Sequence, residues 1–123
     1  GLVDMEVARF IHDNLHLCQD RYPTLFLNVS EQTLYSGVIF KAWARVIQSI
    51  AESHSSRLVI EITEGIQDAS LASRWAALTE IGVELALDDY GDKNSSLERL
   101  SRYDWHYCKF DARRLRSLED YPA

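Results

Sequence analysis

Four short apolar segments alternate with amphipathic segments along this chain, and this alternation restricts the folds that it can adopt. The apolar segments are predicted to be strands, at residues 24–29, 58–62, 83–87 and 105–110, and the second of them is rich in β-branched residues.

Residues with helical spacing, which include Val3 and Phe10 in the first helix and Val38 in the second, predict helices at 2–18 and around 38–50, and Trp43 is expected to pack in the core or at an interface. A third helix is predicted from a cap at Asp68 or Ser70 to residue 81, with Gly82 as its stop. A fourth is predicted from 95 or 96 to 102, with one more turn over 113–118. Strands that alternate with helices form a parallel sheet covered by helices. The sequence therefore predicts an α/β fold in which about four parallel strands are each followed by a helix.

Composition supports one packed domain. The 123 residues include 46% hydrophobic side chains and carry a formal charge of −6. An acidic chain is a poor binder of nucleic-acid phosphates, so we expect no DNA partner, and no apolar run approaches the roughly 18–20 residues of a membrane helix. Cys18 and Cys108 are far apart and have no His at metal-ligand spacing. We therefore expect reduced cysteines in a cytoplasmic protein without membrane contact.

Each predicted strand has polar side chains at or just after its carboxyl end. They are Asn28 and Ser30, Glu61 and Glu64, Asp88 and Asp89, and Lys109 and Asp111. In barrels of parallel strands the active site lies at this end, because the loops that lead into the helices converge there. Carboxylate and amide oxygens brought together in a small volume are ligands for Mg²⁺ or Mn²⁺. The pattern alone predicts a metal-assisted hydrolase or lyase.

Each of these residues also has an ordinary structural explanation. Asn28 is typical of a turn at a strand end, and Asp88 and Asp89 are typical of turns and caps. Lys109 can extend from a strand to solvent. Glu61 is harder to explain in this way, because a charge inside an apolar strand needs a partner when it is buried. If these residues had separate structural roles, their occurrence at all four strand ends would be a coincidence. The pattern therefore favours one shared site.

Four motifs resemble those of the EAL domain family, in the same order and at similar spacing. They are Leu27-Asn28-Val29-Ser30, Glu61-Ile62-Thr63-Glu64, Asp88-Asp89-Tyr90-Gly91 followed by Ser95-Ser96-Leu97, and Lys109-Phe110-Asp111. The family patterns are N-[LV]-S, E-x-T-E, D-D-[FY]-G-x-G-x-S-S and K-[IF]-D, so the resemblance covers essentially the whole chain. It implies a TIM-like barrel that hydrolyses the bacterial second messenger cyclic di-GMP to the linear dinucleotide with Mg²⁺ or Mn²⁺.

The resemblance also implies a role for each matching residue. The implied metal ligands are Asn28, Glu61, Asp88 and Asp89, the last of them at the second metal or its water. Lys109 resembles the residue that orients the attacking water and stabilises developing negative charge. Glu64 resembles the carboxylate that holds the loop after Asp89 in its working shape.

The chain is shorter than a complete domain of this family. The Glu-Ala-Leu segment that names the family, whose Glu is a metal ligand, would precede Gly1, and the strands that supply a further Glu and a Gln would follow Asp111. A complete barrel needs roughly 250 residues. We therefore expect residues 1–123 to be the central part of one barrel, inactive by itself, whose outer strands are completed by the parent chain or by a second copy. The implied partners are cyclic di-GMP, a second copy, and sensor or diguanylate cyclase domains in the parent.

The loop after Asp89 departs from the family pattern. It reads Gly91-Asp92-Lys93-Asn94, so that Lys93 stands where the family has a glycine that permits positive φ. This departure leaves open an alternative function, a non-catalytic cyclic di-GMP receptor or a protein-interaction module on the same scaffold.

Overall fold

The computed structural model describes residues 2–18, 21–53, 57–63, 65–90 and 96–110. Within them, helices and strands follow one another as α1 (Leu2–Asp13), α2 (Leu15–Cys18), β1 (Thr24–Asn28), α3 (Glu31–Tyr35), α4 (Gly37–Ser53), β2 (Arg57–Thr63), α5 (Asp68–Glu80), β3 (Glu84–Tyr90), α6 (Ser96–Arg102) and β4 (Tyr107–Phe110). The predicted α/β fold with four parallel strands is confirmed. The predicted helical turn over 113–118 lies outside the described residues.

The four strands form one parallel sheet in the order β1-β2-β3-β4, and this sheet is strongly curved. Phe26 on β1 and Tyr107 on β4 are at opposite edges, yet their ring centroids are 5.9 Å apart. Three strand spacings in a flat sheet would separate them by about 14 Å. The sheet therefore forms part of a barrel wall, with a concave inner face.

The hydrophobic core lies between the convex face of the sheet and the helices. It contains Leu27, Leu58, Ile60, Ile62 and Leu85 from the strands and Phe40, Trp43, Ile47, Ile50, Leu71 and Leu78 from α4 and α5. Burying each of these large side chains contributes about 1.5–3 kcal/mol, so this layer holds the helices against the sheet. The predicted packing role of Trp43 is confirmed, since this side chain is fully buried. The concave face carries Phe26, Val59 and Ala86, and the predicted polar site residues lie on the same face.

The first predicted helix differs from the structure in length and in the face that it buries. α1 ends at Asp13, because the side-chain amide of Asn14 donates to the Phe10 carbonyl oxygen (2.8 Å) and a separate turn, α2, follows. Val3 and Phe10 were expected on the apolar inner face, but both are exposed. The buried residue is Ala8, which has a small side chain that allows close packing of the helix.

The second predicted helix is preceded by a short helix, α3, that sequence periodicity did not indicate. Ser30 caps α3 by accepting a hydrogen bond from the Thr33 backbone N–H (3.3 Å). α4 then begins at Gly37, and Val38, which was expected on its apolar stripe, is exposed. The predicted end of the third helix is confirmed. α5 ends at Glu80, and Gly82 follows with a φ of +93°, a conformation that favours glycine.

Two further predictions concern cysteines and membrane contact. Cys108 is a free thiol on β4, and partial burial raises the pKa of this group. The side chain of Cys18 lies outside the described residues. Among the described residues, every helix is too short or too polar to cross a bilayer.

Candidate active site

Three predicted ligands share the concave face near the carboxyl ends of neighbouring strands. Asn28 on β1 is in register with Glu61 on β2, so their side chains lie on the same face of the sheet. Thr63, two residues after Glu61, is in register with Asp88 on β3, which places Asp88 on that face as well. An amide and two carboxylates therefore lie on one side of three adjacent strands.

Glu61 is the most constrained residue of this group. It is only 7% exposed, and its Oε1 accepts a hydrogen bond of 2.6 Å from Lys109 Nζ. The charge that interrupts an apolar strand therefore has the charged partner that its burial requires. Lys109 retains 44% of its side-chain exposure, so its ammonium group lies between Glu61 and solvent.

Lys109 reaches Glu61 from two strands away, across β3. In the register, Glu61 pairs with Ala86, and Ala86 pairs with Tyr107, two residues before Lys109. The Lys109 Nζ also lies 4.7 Å from the centroid of the Phe26 ring, a cation–π contact that sequence reasoning missed.

The two consecutive aspartates lie at an irregularity of the sheet. Leu87 pairs with Cys108 and Tyr90 pairs with Phe110, so β3 contains one more residue than β4 between these points. Such a bulge alters the direction of successive side chains and is common beside active sites. β3 thus continues through Asp88 and Asp89 to Tyr90, although the sequence predicted a strand end at residue 87. The side chain of Asp89, and Glu64 altogether, lie outside the described residues.

The segment after Asn28 is held by a residue that sequence reasoning also missed, Asp4 on α1. Its Oδ2 accepts hydrogen bonds from the Ser30 backbone N–H (2.8 Å), the Ser30 hydroxyl (2.7 Å) and the Thr33 hydroxyl (2.6 Å). Partial burial by itself raises the pKa of Asp4, but the bonds from Thr33 and Ser30 outweigh it and leave the pKa below 3.8. α1 therefore fixes the chain that leaves β1 directly beyond the candidate ligand.

The chemistry of these side chains fits part of a site for a hard divalent cation. Asn28, Glu61 and Asp88 supply oxygen donors, which Mg²⁺ and Mn²⁺ prefer. Among the residues that the structure describes, no three His, Cys, Asp or Glu side chains are grouped so that they could hold a metal ion. The described residues thus place one amide and two carboxylates on one face of the sheet, and their role as metal ligands stays a prediction.

Comparisons with known proteins agree with the fold and with the motifs. The family model of the EAL domain matches residues 3–123. A protein of Escherichia coli (strain K12) named "Probable cyclic di-GMP phosphodiesterase PdeN" is 32% identical over 87 residues, which are 69% of this chain and 17% of that protein.

A solved structure is similar over nearly the whole chain. The crystal structure of the EAL domain of Mycobacterium smegmatis DcpA superposes with a TM-score of 0.68 at 23% sequence identity, over 96% of this chain. The match spans 54% of that chain, so the present sequence corresponds to about half the length of the solved relative. At this identity the similarity shows a shared fold, that of a TIM-like barrel.

Proposed function

The chain belongs to the EAL domain family, and from this premise we propose that the protein containing it hydrolyses cyclic di-GMP to the linear dinucleotide with Mg²⁺ or Mn²⁺. The observation that carries the proposal is the buried Glu61 bonded to Lys109 on the same concave face as Asn28 and Asp88. The similarity to a protein named as a probable cyclic di-GMP phosphodiesterase supports this substrate. Because the substrate is a bacterial second messenger, we expect the domain to act in the cytoplasm.

In this proposal Asn28, Glu61, Asp88 and Asp89 hold the divalent ions. The bound ions supply Lewis acidity, which activates water near neutral pH and offsets charge on the phosphodiester. The donor set fits this role because the described members all offer oxygen. A second copy, and sensor or diguanylate cyclase domains, are the further partners that we propose.

Lys109 supplies the positive charge of the protein itself. Hydrolysis adds water to one phosphorus atom, breaks one P–O ester bond and leaves a phosphate monoester and a hydroxyl group. Negative charge grows on the phosphoryl oxygens during this step, and an ammonium group fixed beside them stabilises it. The contact with Glu61 and the Phe26 ring holds the Lys109 Nζ at a defined position for this purpose. We assign Lys109 the role of orienting the attacking water and stabilising that charge.

Glu64 is proposed to support the site rather than to contact the substrate. It stands one residue after Thr63, at the end of β2, in the E-x-T-E motif of the family. In this role it holds the loop after Asp89 in its working shape. Its carboxylate would act through that loop.

The test is an assay of the full-length protein with cyclic di-GMP. We expect the linear dinucleotide to form with Mg²⁺ or Mn²⁺ and hydrolysis to stop when EDTA removes the metal. Asp88→Asn is expected to lower the rate at least about a hundredfold, because it removes a charged ligand. Asp104→Asn is the matched control, since Asp104 is exposed and belongs to none of the motifs. An unchanged rate in Asp88→Asn contradicts the proposal.

The sequence of the loop after Asp89 favours a second candidate, a receptor that binds cyclic di-GMP without hydrolysing it. Lys93 replaces a glycine of the family pattern in that loop. Calorimetry with cyclic di-GMP and Mg²⁺ distinguishes the two functions. Binding without any product supports the receptor, and absence of binding supports a protein-interaction module.

A further inference from the structure

Arg99 on α6 is a buried cation that none of the family motifs includes. Its side chain is 4% exposed. The guanidinium group donates to the Asp68 carboxylate through Nε (2.9 Å) and Nη2 (2.7 Å), to the Thr63 carbonyl oxygen through Nη1 (3.1 Å), and to the Ile66 carbonyl oxygen through Nη2. One side chain therefore binds three points of the segment between β2 and α5.

This arrangement uses the specific geometry of arginine. A planar guanidinium has five N–H donors in fixed directions, whereas the ammonium of lysine is a compact group with three. Two carbonyl oxygens and a carboxylate at separate positions are matched by the fork of Arg99 and not by a lysine of similar length. Asp68 was predicted as a helix cap, but the cap residue of α5 is Gln67, and the Asp68 carboxylate accepts from Arg99 instead.

These bonds connect the strand that carries Glu61 with the helix that follows Asp88 and Asp89 along the chain. Thr63 and Ile66 lie on either side of Glu64 in the sequence, and Thr63 ends the strand that carries Glu61. Arg99 stands on the helix that follows Asp88 and Asp89 along the chain. The backbone of α6 is held in turn, because the Trp105 indole N–H donates to the Arg99 carbonyl oxygen (3.1 Å).

Stability alone does not account for a buried arginine at this point. Burial removes the hydration of the Arg99 guanidinium, while the Asp68 side chain stays 46% exposed, so this ion pair contributes little net stability. Its directional bonds instead define one arrangement of the groups that they join. Those groups are the β2–α5 segment and α6, which adjoin the two acidic motifs.

We propose that Arg99 is a positioning residue that fixes the β2–α5 segment against α6 and thereby sets the geometry of the acidic residues on β2 and β3. This inference rests on the proposed hydrolysis of cyclic di-GMP. Arg99 acts through the backbone on both sides of Glu64 and does not contact the substrate. Loss of Arg99 should therefore lower kcat and raise the Mg²⁺ concentration that half-maximal activity requires.

The experiment compares Arg99→Lys, Asp68→Asn and the control Arg102→Lys in the full-length protein. Arg102 lies on the same helix but is half exposed, and within the described part of the chain it pairs with Glu98. For Arg99→Lys we expect kcat to fall by about ten- to a hundredfold, as small misplacements of reacting groups do, and the Mg²⁺ concentration for half-maximal rate to rise. Hydrogen exchange of residues 63–68 should accelerate in the same variant, with the thermal midpoint close to that of the wild type. Asp68→Asn should show a smaller change of the same kind, and Arg102→Lys none.

The outcomes separate this inference from the proposed function. Wild-type kinetics and wild-type exchange in Arg99→Lys overturn the positioning role, as does a loss of activity that merely follows the unfolded fraction. If the wild-type protein itself does not hydrolyse cyclic di-GMP, the proposed function fails. The exchange of residues 63–68 then still decides whether Arg99 holds this segment, because that measurement needs no substrate.

Discussion

Lys109 and Glu61 stand on strands separated by β3, yet the Lys109 Nζ lies 2.6 Å from Glu61 Oε1. A flat sheet would hold the backbones of these strands nearly 10 Å apart, with the side chains parallel. Curvature of the sheet brings the two charges together. The pair is thus a consequence of the barrel-like shape, and it connects the fold to the proposed chemistry.

Replacement of Lys109 should affect stability and catalysis separately. Lys109→Met leaves the buried Glu61 carboxylate without its partner, and we expect the free energy of unfolding in urea to fall by about 1–2 kcal/mol. The value is below that for a fully buried pair because Lys109 is partly solvated. Hydrolysis should fall at least about a hundredfold, as it does when a preorganised charge is removed.

A second substitution distinguishes the two effects of Lys109. Glu61→Gln combined with Lys109→Met removes the unpaired charge, so the double variant should regain stability but not activity. Lys41→Met on the exposed side of α4 is the control and should change neither quantity. A Lys109→Met variant that is as stable as the wild type would show that the ion pair does not compensate the burial of Glu61.

Ala86→Leu tests whether close packing beside Glu61 matters. Ala86 is fully buried and stands in register between Glu61 and Tyr107. A larger side chain would overpack this position and displace Glu61, so we expect a loss of about 1–3 kcal/mol in stability and a fall of at least about tenfold in kcat. Ala86→Gly adds no volume and should retain most of the activity, while Ala42→Leu on the exposed face of α4 is the control for size. Full activity in Ala86→Leu would contradict this dependence on packing.

The strands and their polar ends could be predicted from the sequence because both depend on local pattern. Runs of β-branched residues indicate strands, and parallel strands bring their carboxyl ends to one edge. That is why Asn28, Glu61 and Asp88 were expected together and lie on one face. The pairing of Glu61 with Lys109 could not be predicted, since the two residues are 48 positions apart and meet only through sheet curvature.

Features that depend on packing between helices could not be predicted from the sequence for a related reason. Val3 and Phe10 are as apolar as the residues that α1 buries, so composition alone cannot tell which face meets α4. Asp4 and Thr33 are 29 positions apart, and Arg99 and Asp68 are 31 apart. Polar contacts at such separations have no period along the chain, so both clusters became visible only in the folded structure.

The lowered pKa of Asp4 predicts a specific dependence of stability on acid. The unfolded group has a pKa of 3.8 and the folded group a lower one, so the carboxylate stabilises the fold fully above pH 3.8. This contribution declines below that pH and is lost once the pH has fallen through the lower folded pKa. In Asp4→Asn, unfolding in urea should require about 1 kcal/mol less at pH 7, since a capping interaction at a partly exposed site is weakened. The difference between the variant and the wild type should shrink as the pH approaches 3.

The control for this prediction is Asp13→Asn, at an exposed position on the same helix, which should be as stable as the wild type at every pH. A difference between Asp4→Asn and the wild type that stays constant across this range would show that the charge of Asp4 does not hold Ser30 and Thr33.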